Sequence, residues 1–297
     1  MPAAVWLNGE FVERDAARVS AFDAGFQHAV GLFETMLAVG GRVHRLDEHL
    51  TRLIASARAL ALAQSMRHEP LAQAVRRTVE RSALPRARVR LTVTGGDLNL
   101  LEARRAQPAH PTILISAQPA TAYPEEMFER GVLATIADDR ANPLDSFAGH
   151  KTLNYWPRLR ALQLAAGKGA GETIVLQVTN HVAGGAVSNL FAVRGGTLVT
   201  PTARGEEEPG AVASPVLPGV ARATVIDLAD RAGVGCARRL VTVEDVLDAD
   251  EVFLTNSSWG VLPVTRVEGK AIGAGAPGPV TRDLLERWRA DAGMAGA

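Results

Sequence analysis

Residues 171–201, GETIVLQVTNHVAGGAVSNLFAVRGGTLVTP, hold three apolar runs, ETIVLQV, HVAGGAVSNLFAV and TLVTP. Thr179-Asn180 and Arg194-Gly195-Gly196 separate them, and turn residues between β-prone runs predict consecutive strands, here a meander. The middle run is interrupted by Gly184-Gly185. Glycine inside a strand marks a bulge or a close approach of another backbone.

Working outward, GVLATIA at 131–137 reads as a strand, Asn142-Pro143 as part of a loop, and 153–166 as a helix. On the other side, TARGEEEPGAVASPV at 202–216 has no period and is rich in Gly, Pro and Glu, which predicts a mobile surface loop. Pro218-Gly219 then precede an amphipathic helix from Val220, and DEVFLTNSSWGVLPVTRV at 250–267 reads as a further strand pair. Toward the N-terminus, VWLNGEFV turns at Asn8-Gly9 as a hairpin. Leu46, Leu50, Leu53, Ile54, Ala57 and Leu60 recur at helical spacing, as do positions from Leu71 to Val79. RVRLTVT at 88–94 alternates strictly, and PTILISAQ at 111–118 is a more continuous strand. PATAYP at 119–124 is the linker candidate. The expectation is a two-domain α+β protein: 1–118, a linker at 119–124, and a C-terminal domain at 125–297.

With 297 residues, 47% of them hydrophobic, the chain can bury two cores, and no repeat suggests a solenoid. Its 32 basic and 32 acidic residues cancel, and no basic block is long enough to form a nucleic-acid footprint. The opening residues lack the pattern of a secretory signal, and no window approaches about 18 uninterrupted apolar residues. A cytoplasmic protein without nucleic-acid or membrane partners is expected. Cys236 stands alone and reads as a small buried hydrophobe.

Few motifs carry chemistry by themselves. Gly273, Gly275 and Gly278 fit G-x-G-x-x-G but lack a following βαβ unit, so a turn explains them. The histidines form no H-E-x-x-H, His44 and His49 sit in an ordinary helix start, and no metal site is indicated. Ser188, Ser257 and Ser258 lack a G-x-S-x-G setting. Lys151 stands at the start of the expected helix among small residues, in a chain whose positive charge is mostly arginine; a surface lysine is the plainer alternative. Arg52 can be an anion ligand or the partner of Glu48 one helical turn away. The helix opening at Pro218-Gly219-Val220-Ala221 offers N–H groups suited to phosphate, as every helix start does. Ser257 and Ser258 can bind a ligand or cap a turn.

In their order along the chain, FDAGFQHAVGLFETM, HRLDEHLTRL, HKTLNY, VSNLF, TP, LPGVAR and ADEVFLTNSSWGVLPV resemble the class IV aminotransferases. These are the fold-type IV pyridoxal-phosphate enzymes, which include branched-chain and D-amino acid aminotransferases and aminodeoxychorismate lyase. The resemblance runs from about Trp6 to the last helix, GPVTRDLLERW. It implies the two-domain fold of that group, pyridoxal 5'-phosphate as cofactor, a small amino donor and a keto-acid acceptor, and a homodimer.

The same resemblance implies residue roles. Lys151 would form the Schiff base with the cofactor and then move a proton at the substrate Cα. Arg52 would bind the cofactor phosphate, with the backbone N–H groups of Val220 and Ala221 and with Ser257. Leu217 would pack on a face of the pyridine ring, and Tyr155 would lie near its phenolic oxygen, although the spacing from Lys151 is one residue shorter than in branched-chain members. Phe33, with Glu34, and Ser258 would face the substrate. Arg88 and Arg90 share one face of their strand and occupy positions of a substrate-binding tyrosine and arginine; a solvated edge strand explains them equally. The loop GGDLNLLEARR at 95–105 lacks the arginine–histidine pattern of the D-amino acid branch.

Two positions depart from the family pattern. A glutamate that would pair with the pyridine nitrogen is replaced by Gly184, and a threonine at the helix start is replaced by Ala221. The function implied is amino transfer by a Lys151 Schiff base. The alternatives are elimination yielding 4-aminobenzoate, as in the lyase, or cofactor binding with impaired turnover because of Gly184.

Overall fold

The computed structural model describes residues 4–63, 65–97 and 110–294. These form two compact units, Met1–Thr121 with His150–Asn154, and Ala122–Gly149 with Tyr155–Ala297. The segment 150–154, which the sequence assigns to the C-terminal domain, thus packs with the first unit. Most of the GGDLNLLEARR loop, residues 98–105, lies outside the described residues.

The first unit contains β1 (Ala4–Leu7), β2 (Glu10–Val12), α1 (Ala24–His28), β3 (Gly31–Val39), β4 (Arg42–Val43), α2 (Leu46–Ala59), α3 (His68–Ser82), β5 (Arg86–Thr94) and β6 (Ile113–Pro119). The strands form an antiparallel sheet in the order β2-β1-β6-β5-β3-β4. Alternation sends Leu32, Met36, Val89, Leu91, Val93, Ile115 and Ala117 to one face, where Leu50, Leu53 and Ile54 of α2 and Leu71, Val75 and Val79 of α3 cover them. Each fully buried side chain of this size contributes roughly 1.5–3 kcal/mol by leaving water. The opposite face is laid out in rows by the register: Phe33–Thr92–Leu114, Thr35–Arg90–Ser116 and Leu37–Arg88–Gln118. Arg88 and Arg90 therefore do share a face, but β5 is an interior strand between β3 and β6, not an edge.

The second unit contains α4 (Glu126–Glu129), β7 (Val132–Ala141), α5 (Trp156–Gly167), β8 (Glu172–Gln177), β9 (Val182–Gly185), β10 (Asn189–Arg194) and β11 (Thr197–Pro201). There follow α6 (Val220–Arg231), β12 (Cys236–Arg239), α7 (Val243–Leu247), β13 (Glu251–Asn256), β14 (Gly260–Val267), β15 (Lys270–Ala271) and α8 (Pro279–Asp291). Their sheet runs β12-β11-β10-β13-β14-β7-β8-β9, with β15 on β14. β8 and β9 pair as a hairpin, as do β10 and β11, but β9 does not continue onto β10. The expected meander is broken at Gly185, where the chain turns through 186–188 and β10 pairs with β11 and β13 instead of with β9.

Three further expectations change. The helix begins at Trp156, not at 153. The loop at 202–216 is pinned: Glu206 accepts from Arg222 Nη1 and Nη2 at 2.8 and 2.7 Å and from Ala203 N at 2.8 Å, and Ser214 Oγ donates to Thr202 O at 2.7 Å. Cys236 is half-buried on β12. Among the described residues, no helix is long and apolar enough to cross a membrane.

Candidate active site

In the first unit, residues 151–153 run antiparallel to the start of β3. Phe33 N donates to Lys151 O at 3.0 Å, Leu153 N donates to Gly31 O at 2.9 Å, and Leu32 bridges Thr152. Lys151 is therefore held by strand pairing and not by a helix start, contrary to the sequence reading. Its Nζ lies 4.6 Å from the Phe33 ring centroid, and the Arg90 guanidinium lies 3.9 Å from the same ring, within the range of cation–π attraction. Arg90 Nε donates to Thr92 Oγ1 at 3.2 Å.

On the helix-covered face of the same strand, Glu34 is 1% exposed and is met by two residues of α2. Arg52 donates from Nε to Oε1 at 2.8 Å and from Nη2 to Oε2 at 2.5 Å, and His49 Nδ1 lies 2.8 Å from Oε2. Burial would raise the Glu34 carboxyl, but the Arg52 charge and the His49 hydrogen bond override it and hold it at about 2. Burial pushes His49 below its usual range, so it faces the carboxylate as a neutral donor. Arg52 is thus the partner of Glu34, not of Glu48, which meets Arg45 at 3.4 Å instead.

In the second unit, α6 opens at Gly219 with no side-chain cap, leaving the N–H groups of Val220 and Ala221 at its positive end. Leu217 is half-buried before it, and its carbonyl accepts from Asn189 Nδ2 at 2.9 Å. Ser257 and Ser258 occupy the turn between β13 and β14, where Asn256 Oδ1 accepts from Ser258 N at 2.9 Å and Trp259 N at 3.0 Å. Tyr155 is the residue before α5, and the Arg158 guanidinium lies 6.0 Å from its ring centroid.

Gly184 has φ +136°, and a Cβ there would lie 2.8 Å from Ser188 O, so this backbone excludes a glutamate. The nearby buried carboxylate is Glu172, 0% exposed, on β8. It accepts from Thr173 N at 3.0 Å, Ala186 N at 3.2 Å, Val187 N at 3.1 Å and Ser188 Oγ at 2.8 Å. Burial outweighs these donors and raises its carboxyl. Glu172 lies on the Gly185 side of β9, and neighbouring strand residues face opposite ways, so it does not replace a side chain at 184. After the G-x-G-x-x-G segment, Glu251 accepts from Val280 N and Thr281 N at the start of α8, at 3.1 and 2.7 Å.

The structure therefore brings Lys151, Phe33 and Arg90 together, and Arg52 with Glu34, in the first unit. In the second it groups Leu217, Val220 and Ala221 at one helix start and Ser257 with Ser258 in one turn. Glu34 as the holder of Arg52, His49, Asn189 and Glu172 were missed. The available signal was an acid in an otherwise apolar strand, at Glu34 and again at Glu172.

A family model described as amino-transferase class IV matches residues 31–267, and the chain belongs to that family. A Methanocaldococcus jannaschii protein, provisionally named a branched-chain-amino-acid aminotransferase, is 32% identical over 96% of this chain and 95% of its own. A T.th. branched-chain amino acid aminotransferase, solved with pyridoxamine 5'-phosphate, superposes with a TM-score of 0.87 at 26% identity, covering 99% of this chain and 95% of the other. The 4-amino-4-deoxychorismate lyase of Pseudomonas aeruginosa superposes with a TM-score of 0.80 at 31% identity, covering 97% and 98%. The chain is an enzyme of this class, with the fold of its pyridoxal-phosphate members.

The residues present fit pyridoxal 5'-phosphate. Lys151 offers a primary amine on a main chain fixed by strand pairing. The helix start at Val220 is uncapped by any side chain. In the same unit Thr255 Oγ1 is buried without a hydrogen-bond partner among the described residues, on the strand position opposite Asn189. A phosphate dianion suits such a set of donors.

Proposed function

We propose that the protein is a pyridoxal-phosphate-dependent aminotransferase acting on a small amino acid or amine, with Lys151 Nζ as the point of covalent attachment. The observation that carries this reading is the strand pairing that fixes Lys151 beside Phe33. When bound, the cofactor supplies an electron-withdrawing ring that stabilises negative charge at the substrate Cα. With the cofactor bound, Lys151 Nζ would be the base that takes the Cα proton and returns it to the product. Strand pairing at Lys151 and Leu153 restrains the main chain there, so that side-chain torsions are the main freedom of the amine.

Arg52 of the first unit, and the Val220 N–H, the Ala221 N–H and Ser257 of the second, would hold the phosphate. Glu34 engages the Nε and Nη2 edge of Arg52, which fixes the plane of the guanidinium. Leu217 would pack against the ring, and Tyr155 would serve the side of its phenolic oxygen. Phe33, Arg88, Arg90 and Ser258 serve the substrate; Arg90, between Thr35 and Ser116 in its row, suits a carboxylate. The active form is a cytoplasmic homodimer, a reading supported by family resemblance.

The test is purification with pyridoxal phosphate, borohydride reduction and peptide mass spectrometry. The label is expected on Lys151 and absent from Lys151→Ala, which loses all turnover with a panel of L-amino acids, D-amino acids and primary amines. A label elsewhere, or equal cofactor absorbance in Lys151→Ala, overturns the assignment. The similarity to a 4-amino-4-deoxychorismate lyase favours elimination as the second reading. Release of pyruvate and 4-aminobenzoate without a keto-acid acceptor would select it.

A further inference from the structure

We propose that Asn189 is a positioning residue for the α6 N-terminus: its carboxamide sets the direction of the Val220 and Ala221 N–H groups and thereby the affinity for the cofactor phosphate. The inference rests on the function proposed above.

Asn189 is 6% exposed and opens β10, where it pairs directly with Thr255 of β13, so the sheet fixes its backbone. Its two amide atoms do different work on the segment before α6. Nδ2 donates to Leu217 O at 2.9 Å. Oδ1 fills the space that a Cβ on Gly219 would overlap. Gly219 has φ −68° and ψ 133°, an extended conformation open to any residue. Glycine stands there for room, not for backbone freedom. One carboxamide therefore holds the Leu217 end of Leu217-Pro218-Gly219 by a hydrogen bond and lies against its Gly219 end; the middle residue has a fixed φ, and this segment delivers the chain into α6.

Two more observations point to the same place. No side chain caps α6, although its first turn is buried at Val220, Ala221 and Arg222. Thr255 Oγ1, beside Asn189 on the same face of the sheet, is buried without a partner among the described residues. A second amide ties the neighbouring turns together, since Asn256 Nδ2 donates to Val187 O at 3.3 Å while its Oδ1 takes the N–H groups of Ser258 and Trp259. A neutral amide is what the position requires. A carboxylate of the same shape would lose the donor to Leu217 O and add negative charge beside an anion site.

The experiment titrates the full chain, stripped of cofactor, with pyridoxal 5'-phosphate and separately with pyridoxal, which has the aldehyde but no phosphate. Asn189→Ala is expected to weaken pyridoxal-phosphate binding about tenfold, the effect of one lost hydrogen bond, while pyridoxal binding stays within about twofold. Asn189→Asp should weaken it further. Gly219→Ala alone should also weaken the phosphorylated ligand, and Asn189→Ala/Gly219→Ala should bind no worse than Asn189→Ala, because the obstacle to the new methyl is gone. Equal losses for both ligands, or wild-type affinity in Asn189→Ala and Asn189→Asp, overturn the inference. If the wild-type chain binds pyridoxal but gains nothing from the phosphate, this inference fails and the Lys151 reading stands. If it binds neither, the proposed function itself fails.

Discussion

Two glutamates are withdrawn from water to the same degree and answered by opposite chemistry. Glu34 in β3, 1% exposed, faces the Arg52 cation and the His49 ring; Glu172 in β8, 0% exposed, faces three backbone N–H groups and one hydroxyl. The first carboxyl is held at about 2 and the second is raised. A full opposite charge repays the desolvation of a buried anion, whereas neutral dipoles repay only part of it. The Glu34 region thereby keeps a charge fixed in orientation, and the Glu172 region keeps a backbone turn fixed in shape.

The same isosteric change should separate the two most strongly. Glu34→Gln leaves Arg52 beside a neutral amide in a nearly dry site, and breaking a buried pair from one side costs about 3–5 kcal/mol. Glu172→Gln keeps one acceptor oxygen and removes a buried charge, so its net cost should be about 1 kcal/mol. Urea unfolding at pH 7 checks both, and equal losses would mean that charge pairing is not what distinguishes the sites.

Acid sharpens the contrast because the two signs differ. Glu34 is depressed from 4.5 to about 2, so its stabilisation is complete above 4.5 and is lost as pH falls through that window, on the order of 3 kcal/mol in all. Glu172 is raised, so its charged form costs stability at neutral pH and protonation relieves that cost as pH falls toward 4.5. His49, depressed by burial, works against Glu172 below pH 6.5, because only the unfolded chain takes up its proton there. Stability curves of the two glutamine variants against wild type should show Glu34→Gln flattening the slope below 4.5 and Glu172→Gln altering it only above. A Glu34→Gln curve as steep as wild type in acid contradicts the account.

The smallest effect belongs to the pair that replaced the expected one. Glu48 meets Arg45 at 3.4 Å with half of its side chain exposed. Glu48→Ala should change thermal stability by less than about 1 kcal/mol, since a screened surface pair and a helix dipole are all that it loses. Differential scanning calorimetry suffices to check it.

Much of the fold was legible. Alternation at 88–94 and helical spacing from Leu46 and Leu71 gave β5, α2 and α3, and Thr179-Asn180 and Arg194-Gly195-Gly196 fall at hairpin turns, with Asn180 at φ 62° and the glycines at 55° and 76°. These features are local, because period and turn chemistry depend only on near neighbours in the chain. The meander was not legible, because its break depends on which distant strand β10 joins. The anchoring of the acidic loop was not legible for the same reason: Glu206 looks solvated until Arg222, 2% exposed, is placed against it.

By itself the sequence determined the period of each element, the residues able to carry chemistry, and through the order of its motifs the family to which the chain belongs. Tertiary structure alone decided that Lys151 is fixed by β3, that Arg52 answers Glu34, that Glu172 shapes the turn at 186–188, and that Asn189 fills the space of a Cβ on Gly219. Pairings between residues far apart in the chain are set by register and packing, and a linear pattern does not record which acid a given arginine will meet once both have left water.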